Sequence, residues 1–259
     1  MPELPDLQVF SRNLEKKLAG KKLEKITVGN NKKLNVPAAT LQKTLEGRQL
    51  KKVHRVGKEL HFDFDSGDVL ALHLMLRGQL HLFEKKNTQK HTIIALLFDD
   101  DTGLAMTDGF GQATPTLNPE DREAIDALSP KMTAAFLKEQ LSQTKGNIKN
   151  LLLDQHIIRG IGNAYADEIL WDAGISPFSS SNKIPEAKIK ALAKSIKDVL
   201  QKAEKHILKT HPDIISGEIR DFMNIHNPHK THSPSGAPIQ HKSVGGRKTY
   251  YTEEQELYN

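Results

Sequence analysis

"NIKNLLLDQHIIRGIGNAYADEILWDAGISP", residues 147–177, decides how the second half of this chain folds. Its apolar residues read as a helix over 147–155, a glycine-punctuated corner at Gly160-Ile161-Gly162, and a second helix that starts near Tyr165 and stops at Gly174. Both glycines permit positive φ, and the amides of such a corner, with the Asn163 side chain, are able to face a phosphate. Taken alone, the stretch is equally an ordinary helix–turn–helix corner.

Working outward, residues 184–208 form the longest periodic segment, with Ile189, Leu192, Ala193, Ile196, Val199, Leu200, Ala203 and Ile207 on one stripe and lysines on the solvated face. Beyond Asn224 the texture turns to Pro, Gly, Ser and His, with short strands at 237–243 and 248–252 that suggest a small hairpin. Upstream, helices are expected at 118–128, where an Asn cap precedes Pro and acids, and at 133–143. Residues 22–107 alternate instead at the strand period, with a hairpin signal in "FDSGD" at 64–68, giving seven or eight strands and most simply a sandwich. An amphipathic helix over 5–19, stopped by Gly20, leads into them. The expected architecture is α+β: an N-terminal β-sandwich with its helix over 1–115, a helical domain over 116–224, and a hairpin appendage over 225–259.

Composition narrows the chemistry. The 259 residues are 37% hydrophobic and only 5% aromatic, so the cores rest on Leu, Ile, Val and Ala. A net charge of +5 is compatible with a polyanionic partner without requiring one. No cysteine is present, which removes disulfides, thiolate catalysis and sulfur-ligated zinc. No apolar run approaches the roughly 20 residues of a membrane span, and the N-terminus lacks a signal-peptide layout. A cytoplasmic protein is expected.

The opening "MPELPD" carries a further possibility. Removal of Met1 leaves Pro2 with a secondary α-amine, a group that titrates near ~8, well below a lysine, and attacks aldehyde-level carbon to give an iminium. Glu3 beside it is a candidate proton carrier. The bland alternative is a proline-punctuated lead-in to the first helix.

Together the opening and the 147–177 stretch resemble the formamidopyrimidine-DNA glycosylase and endonuclease VIII family, and the likeness covers nearly the whole chain. "MPELPD" is similar to that family's Pro-Glu-Leu-Pro-Glu opening, with Asp6 where glutamate is usual. "RVGKELHFDF" resembles its strand with a catalytic lysine, and "HLMLRGQL" its His-Leu-Gly-Met-Ser-Gly segment. "GGRKTYY" resembles the loop of its C-terminal finger. The resemblance implies a helix–two-turn–helix domain and a bifunctional glycosylase and abasic-site lyase acting on damaged duplex DNA, monomeric and without cofactor. It implies catalytic roles for Pro2, Glu3 and Lys58, and DNA contacts from His73, Lys149, Asn163 and Arg247. Leu76 and Phe110 become wedges into the duplex. Asp6 is either a supporting acceptor or simply a helix cap.

Three departures qualify the resemblance. The finger's four zinc-binding cysteines are replaced: His232 and Ser235 fall at the first pair, Thr252 and Gln255 near the second. His226, His229, His232 and His241 invite a metal reading, but no acid or thiol accompanies them, and a zincless finger without metal is expected. The family's "TDPRRFG" is here "TDGFG" at 107–111, two residues shorter and without arginine. The connection from Asp221 to Gly236 is short, which implies an open lesion pocket with weak preference for 8-oxoguanine. The rival reading is a non-catalytic or lyase-only binder of damaged or abasic DNA.

Overall fold

A computed structural model describes residues 1–121 and 123–259. They form two compact units, residues 1–121 with 207–218 and residues 123–206 with 219–259. The segment 207–218, whose first four residues end the helix Glu186–Thr210, therefore groups with the N-terminal strands.

The first unit opens with α1 (Leu4–Leu18), whose Leu7, Phe10, Leu14 and Leu18 recur at helical spacing and are buried. Each such side chain stabilises the unit by about 1.5–3 kcal/mol relative to exposure. Strands β1 (Leu23–Val28), β6 (Thr92–Phe98), β7 (Thr102–Thr107) and β5 (Gln79–Glu84) make one four-stranded sheet in that order. Strands β2 (Leu50–Val56), β3 (Glu59–Phe64), β4 (Val69–His73) and β8 (Thr114–Leu117) make the other. Inward residues of both, among them Ile26, Phe62, Leu72, Leu96 and Leu104, share one apolar core with α1. The "FDSGD" turn joins β3 to β4, closed by the Phe64 N–H donating to the Asp68 carbonyl at 2.9 Å with Gly67 at φ 87°.

Not all of 22–107 is strand. α2 (Ala38–Leu45) interrupts it, with Leu41 and Leu45 buried one turn apart. It is tied down at both ends of a peptide: Gln42 Nε2 donates to the Ile26 carbonyl and the Ile26 N–H donates to Glu46 Oε1. Eight residues with two inward leucines are too short to show a helical period against alternating neighbours.

In the second unit the helix expected over 118–128 does not form. Arg122 lies outside the described residues; of the rest, Ile125–Asp126 is a short strand, β9, parallel to β10 (Ile158–Arg159). The N–H groups of Ile125 and Ala127 donate to the carbonyls of Ile157 and Arg159, so tertiary partners take the bonds a helix would have used. The other helices form: α3 (Ala134–Gln143), α4 (Ile148–Leu153), α5 (Asn163–Asp172) and α6 (Glu186–Thr210). α6 buries Ile189, Leu192, Ile196, Leu200 and Ala203, the expected stripe. Strands β11 (Gln240–Val244) and β12 (Arg247–Tyr251) pair antiparallel as the expected hairpin. None of the described helices is long and apolar enough to cross a membrane.

Candidate active site and nucleic-acid interface

Pro2 and Glu3 are buried at the start of α1, with Glu3 only 4% exposed. The Glu3 N–H donates to Asp6 Oδ2 at 2.9 Å, which closes a capping box and makes Asp6 the cap partner that fixes the backbone next to Pro2. While Met1 is in place, its terminal ammonium pairs with Glu218.

Lys58 lies in the two-residue turn of the β2–β3 hairpin, after Gly57 at φ 58°. A glycine with positive φ at the first turn position suits the twist of the flanking strands. Arg55 ties that turn to α1: its Nε donates to Gln8 Oε1 at 2.9 Å and its Nη1 to the Gly57 carbonyl at 3.1 Å. One guanidinium thus holds the Lys58 turn against the helix that begins with Pro2 and Glu3.

The same end of this sheet carries His73. Strand register places Glu59 opposite His73 and His73 opposite Thr114, so Lys58, His73 and the loops beyond β4 and before β8 share one edge. His73 Nδ1 accepts the Met75 N–H at 3.0 Å, which leaves the ring proton on Nε2. That bond anchors a tight loop over 74–78. Met75 takes φ 54°, and the Gly78 N–H donates to the Leu74 carbonyl at 2.8 Å. A Cβ at Gly78 would stand 2.2 Å from that carbonyl oxygen, so only glycine closes the loop. Leu76 stands at its tip, 73% exposed.

Phe110, 69% exposed, projects from the neighbouring 108–113 loop. Asp108, itself buried, organises this loop: its carboxylate accepts the N–H groups of Phe110, Gln112 and Ala113 at 2.7–2.9 Å. Burial raises the Asp108 pKa, but those three bonds and the Arg77 charge outweigh it and hold the group below its ordinary value. The Arg77 guanidinium lies 5.3 Å from the Phe110 ring centroid. Two large apolar side chains and a planar cation therefore share one projection, although sequence reading had picked out only Leu76 and Phe110.

The second unit gathers the remaining candidates. Gly160 takes φ 105°, and Gln155 braces the corner by accepting the Gly160 N–H and donating to the Leu153 and Ile161 carbonyls. Asn163 follows as the first residue of α5, and its Nδ2 donates to the Lys248 carbonyl at 2.9 Å, next to exposed Arg247. The hairpin turn before Arg247 is Gly245-Gly246, both at positive φ, and a Cβ on Gly245 would meet Asn150 Oδ1 at 2.8 Å. Close approach of the Gly245 backbone to α4 and the Asn163–Lys248 bond thus hold the hairpin turn that precedes Arg247 against the starts of these helices.

Lys149 does not join them. Its side chain is fully buried, its Nζ lies 2.6 Å from Asp167 Oδ1, and it donates to Thr249 Oγ1 at 2.7 Å. A direct contact with DNA is closed to an ammonium so enclosed; Lys149 instead locks β12 onto α5. Asp167, also fully buried, accepts from the Tyr250 N–H at 2.9 Å and lies 2.7 Å from His226 Nδ1. Its neighbour Glu168 accepts the N–H groups of Asn224, Ile225 and His226. These adjacent acids anchor the finger, and their signal in the sequence was an acidic pair inside an apolar helix.

Three of the four residues that the resemblance sets at or near the finger's cysteine positions, Ser235, Thr252 and Gln255, are joined by hydrogen bonds. Glu254 Oε2 accepts from Ser235 Oγ and from Thr252 Oγ1, while Gln255 accepts the Thr252 N–H and donates to the Ile175 carbonyl. His232 stands apart, its Nδ1 against Thr231 Oγ1 at 3.0 Å. Among the described residues no three His, Asp or Glu side chains stand together in a metal-holding group.

A β-sandwich with an amino-terminal helix, a helix–two-turn–helix domain and a β-hairpin finger together define a DNA glycosylase of the helix–two-turn–helix class. The formamidopyrimidine-DNA glycosylase N-terminal domain matches residues 1–112, and the H2TH domain of the same enzymes matches residues 124–211. The chain belongs to the formamidopyrimidine-DNA glycosylase family. It is 31% identical to the formamidopyrimidine-DNA glycosylase of Lactobacillus gasseri over 97% of each chain, and 32% identical to that of Ligilactobacillus salivarius over 97% of each. The Lactococcus lactis enzyme in complex with abasic-site DNA superposes with a TM-score of 0.87 at 26% identity, covering 97% of this chain and 98% of that one. A second complex of the same enzyme, with DNA containing an oxidised pyrimidine, gives 0.87 at 28% identity, covering 97% of this chain and 98% of that one.

Proposed function

We propose that this protein is a bifunctional DNA glycosylase and abasic-site lyase of base excision repair, working in the cytoplasm as a monomer on duplex DNA with oxidised or ring-opened bases. The observation that carries the reading is the buried Pro2-Glu3 start of α1, tied through Gln8 and Arg55 to the Lys58 turn.

Chemistry at the sugar carbon requires the nucleotide to leave the stack. Once Met1 is removed, the Pro2 nitrogen lone pair attacks C1′, the N–C1′ bond forms, and the glycosidic bond breaks with its electron pair leaving on the base. Ring opening gives an iminium, with Glu3 carrying the proton to the ring oxygen. Loss of a C2′ proton then expels the 3′ phosphate, and a second elimination expels the 5′ phosphate. Lys58 supplies a cation beside the phosphate flanking the lesion, and His73 holds the wedge loop. Leu76 and Phe110 fill the space the flipped nucleotide leaves. Asn163 and Arg247 grip the bent backbone, contacts that position the enzyme without reading sequence.

The short connection from Asp221 to Gly236 supports an open lesion pocket, with oxidised pyrimidines and abasic sites cut at least as fast as 8-oxoguanine opposite cytosine. Borohydride reduction tests the central step. Processed protein mixed with abasic duplex forms a covalent adduct, whereas Pro2→Gly and protein retaining Met1 do not. Absence of an adduct from processed wild type refutes the lyase assignment.

A further inference from the structure

The segment 207–218 is held on the first unit by contacts of its own. Asn13 of α1 is buried and its Nδ2 donates to the Ile214 carbonyl at 2.8 Å. Ile214 and Ile215 pack half-buried against the apolar core, and Ser216 Oγ accepts the Leu80 N–H at 3.0 Å. Gly217 then takes φ 95°, a conformation that suits glycine, and Glu218 follows. Its carboxylate pairs with the terminal ammonium of Met1, 217 positions away along the chain. The acids near Pro2 in sequence are placed otherwise. Glu3 and Asp6 are buried and form the capping box of α1, in which Asp6 Oδ2 accepts the Glu3 N–H. The Glu218 side chain is 38% exposed. Only a Cα and a carbonyl carbon separate the Met1 nitrogen from that of Pro2, about 3 Å. Once Met1 is gone, a change of rotamer carries the Glu218 carboxylate to the Pro2 amine.

We infer that Glu218 is the proton acceptor for the Pro2 amine, a part separate from that of Glu3. This deepens the proposed lyase reaction and rests on it. Attack on C1′ forms the N–C1′ bond and leaves the Pro2 nitrogen positively charged, with its proton still attached. While that proton stays, the nitrogen has no lone pair with which to open the sugar ring. Glu218 takes the proton. The recovered pair becomes the second bond of the iminium as the bond from C1′ to the ring oxygen breaks, and Glu3 protonates that oxygen. A nitrogen bonded to C1′ is more acidic than the unreacted amine, because C1′ still bears an electron-withdrawing oxygen, so a carboxylate is a competent acceptor. Its exposure lets Glu218 pass the proton to water before the next turnover. In the resting enzyme the same anion favours the charged form of the amine. The other charged groups at this corner of the first unit are Glu3 and Asp6 in the capping box and Arg55 and Lys58 at the β2–β3 turn.

The test follows single-turnover formation of the borohydride-trapped adduct on abasic duplex against pH, using processed wild type, Glu218→Gln and Glu218→Asp. Glutamine keeps the shape of the side chain at an exposed position. Glu218→Gln lowers the plateau rate at least about tenfold, the loss of one proton-transfer group. Without the anion the amine gives up its proton more readily, so the acid limb of the profile moves to lower pH by about half a unit or more. Glu218→Asp keeps the wild-type acid limb and recovers part of the rate. Affinity for duplex with a tetrahydrofuran abasic analogue does not fall in Glu218→Gln, since removing an anion does not weaken a contact with a polyanion. A wild-type plateau in Glu218→Gln, or a slowed plateau with an unmoved acid limb, overturns the inference while the lyase reading stands. A processed wild type that forms no adduct overturns both.

Discussion

Replacing Asp167 by asparagine keeps the shape of the finger's anchor and removes its charge. The Lys149 ammonium, fully buried and 2.6 Å from Asp167, then has no compensating anion in that contact. Removing one partner of a buried pair costs about 3–5 kcal/mol, because the cost is the stranded charge and not the lost contact alone. Against a total stability of about 5–15 kcal/mol, that is a large fraction. The chain's one tryptophan, Trp171, lies in α5, in the same unit, so its fluorescence in urea follows the relevant transition. With a urea slope of about 2–3 kcal/mol per molar, the midpoint falls by about 1–2 M. The double variant Lys149→Met with Asp167→Leu removes both charges and recovers at least about 1 kcal/mol relative to the sum of the single changes. What it does not recover is the acceptor for the Tyr250 N–H. A drop of less than about 1 kcal/mol for Asp167→Asn, or strict additivity in the double variant, refutes the account of Asp167 as the charge that pins the finger.

Four further outcomes are expected. Gly78→Ala drives a Cβ to 2.2 Å from the Leu74 carbonyl; titration of abasic-analogue duplex shows weaker binding while urea unfolding of the first unit falls by only about 1–3 kcal/mol. Phe110→Ala and Leu76→Ala, both at exposed positions, leave stability within about 0.5 kcal/mol and weaken binding to the same duplex. The depressed Asp108 pKa makes its loop bonds worth most above the ordinary carboxylate value; that contribution is lost as pH falls through the lower folded value, below 3.8. The protection factor of the Phe110 amide, its exchange relative to an unstructured peptide at the same pH, therefore falls over that acid range, and Asp108→Asn removes that fall. Lys58→Gln, at a hairpin turn, leaves the melting temperature nearly unchanged and slows single-turnover cleavage of abasic DNA at least about tenfold.

Periodicity and punctuation by themselves determined much of this protein. The strand alternation of 22–107, the α6 stripe and the glycine corner at 160–162 are local signals, and each element follows from residues within a few positions of one another. Leu76 and the proline opening were singled out through the family resemblance, and the structure leaves Leu76 exposed. Where reading failed, the deciding partner lay far along the chain. Residues 118–128 have a good helical start, yet their N–H groups bond to 157–159. Lys149 reads as a surface cation, and only folding shows it enclosed with Asp167 and Thr249, the latter 100 positions away. Arg77 carries no signal of its own in the sequence; strand register sets His73 beside Thr114 and so brings its loop to Phe110. Local sequence sets backbone preference at short range, whereas burial of a charge and the meeting of two loops depend on which distant segments the core brings together.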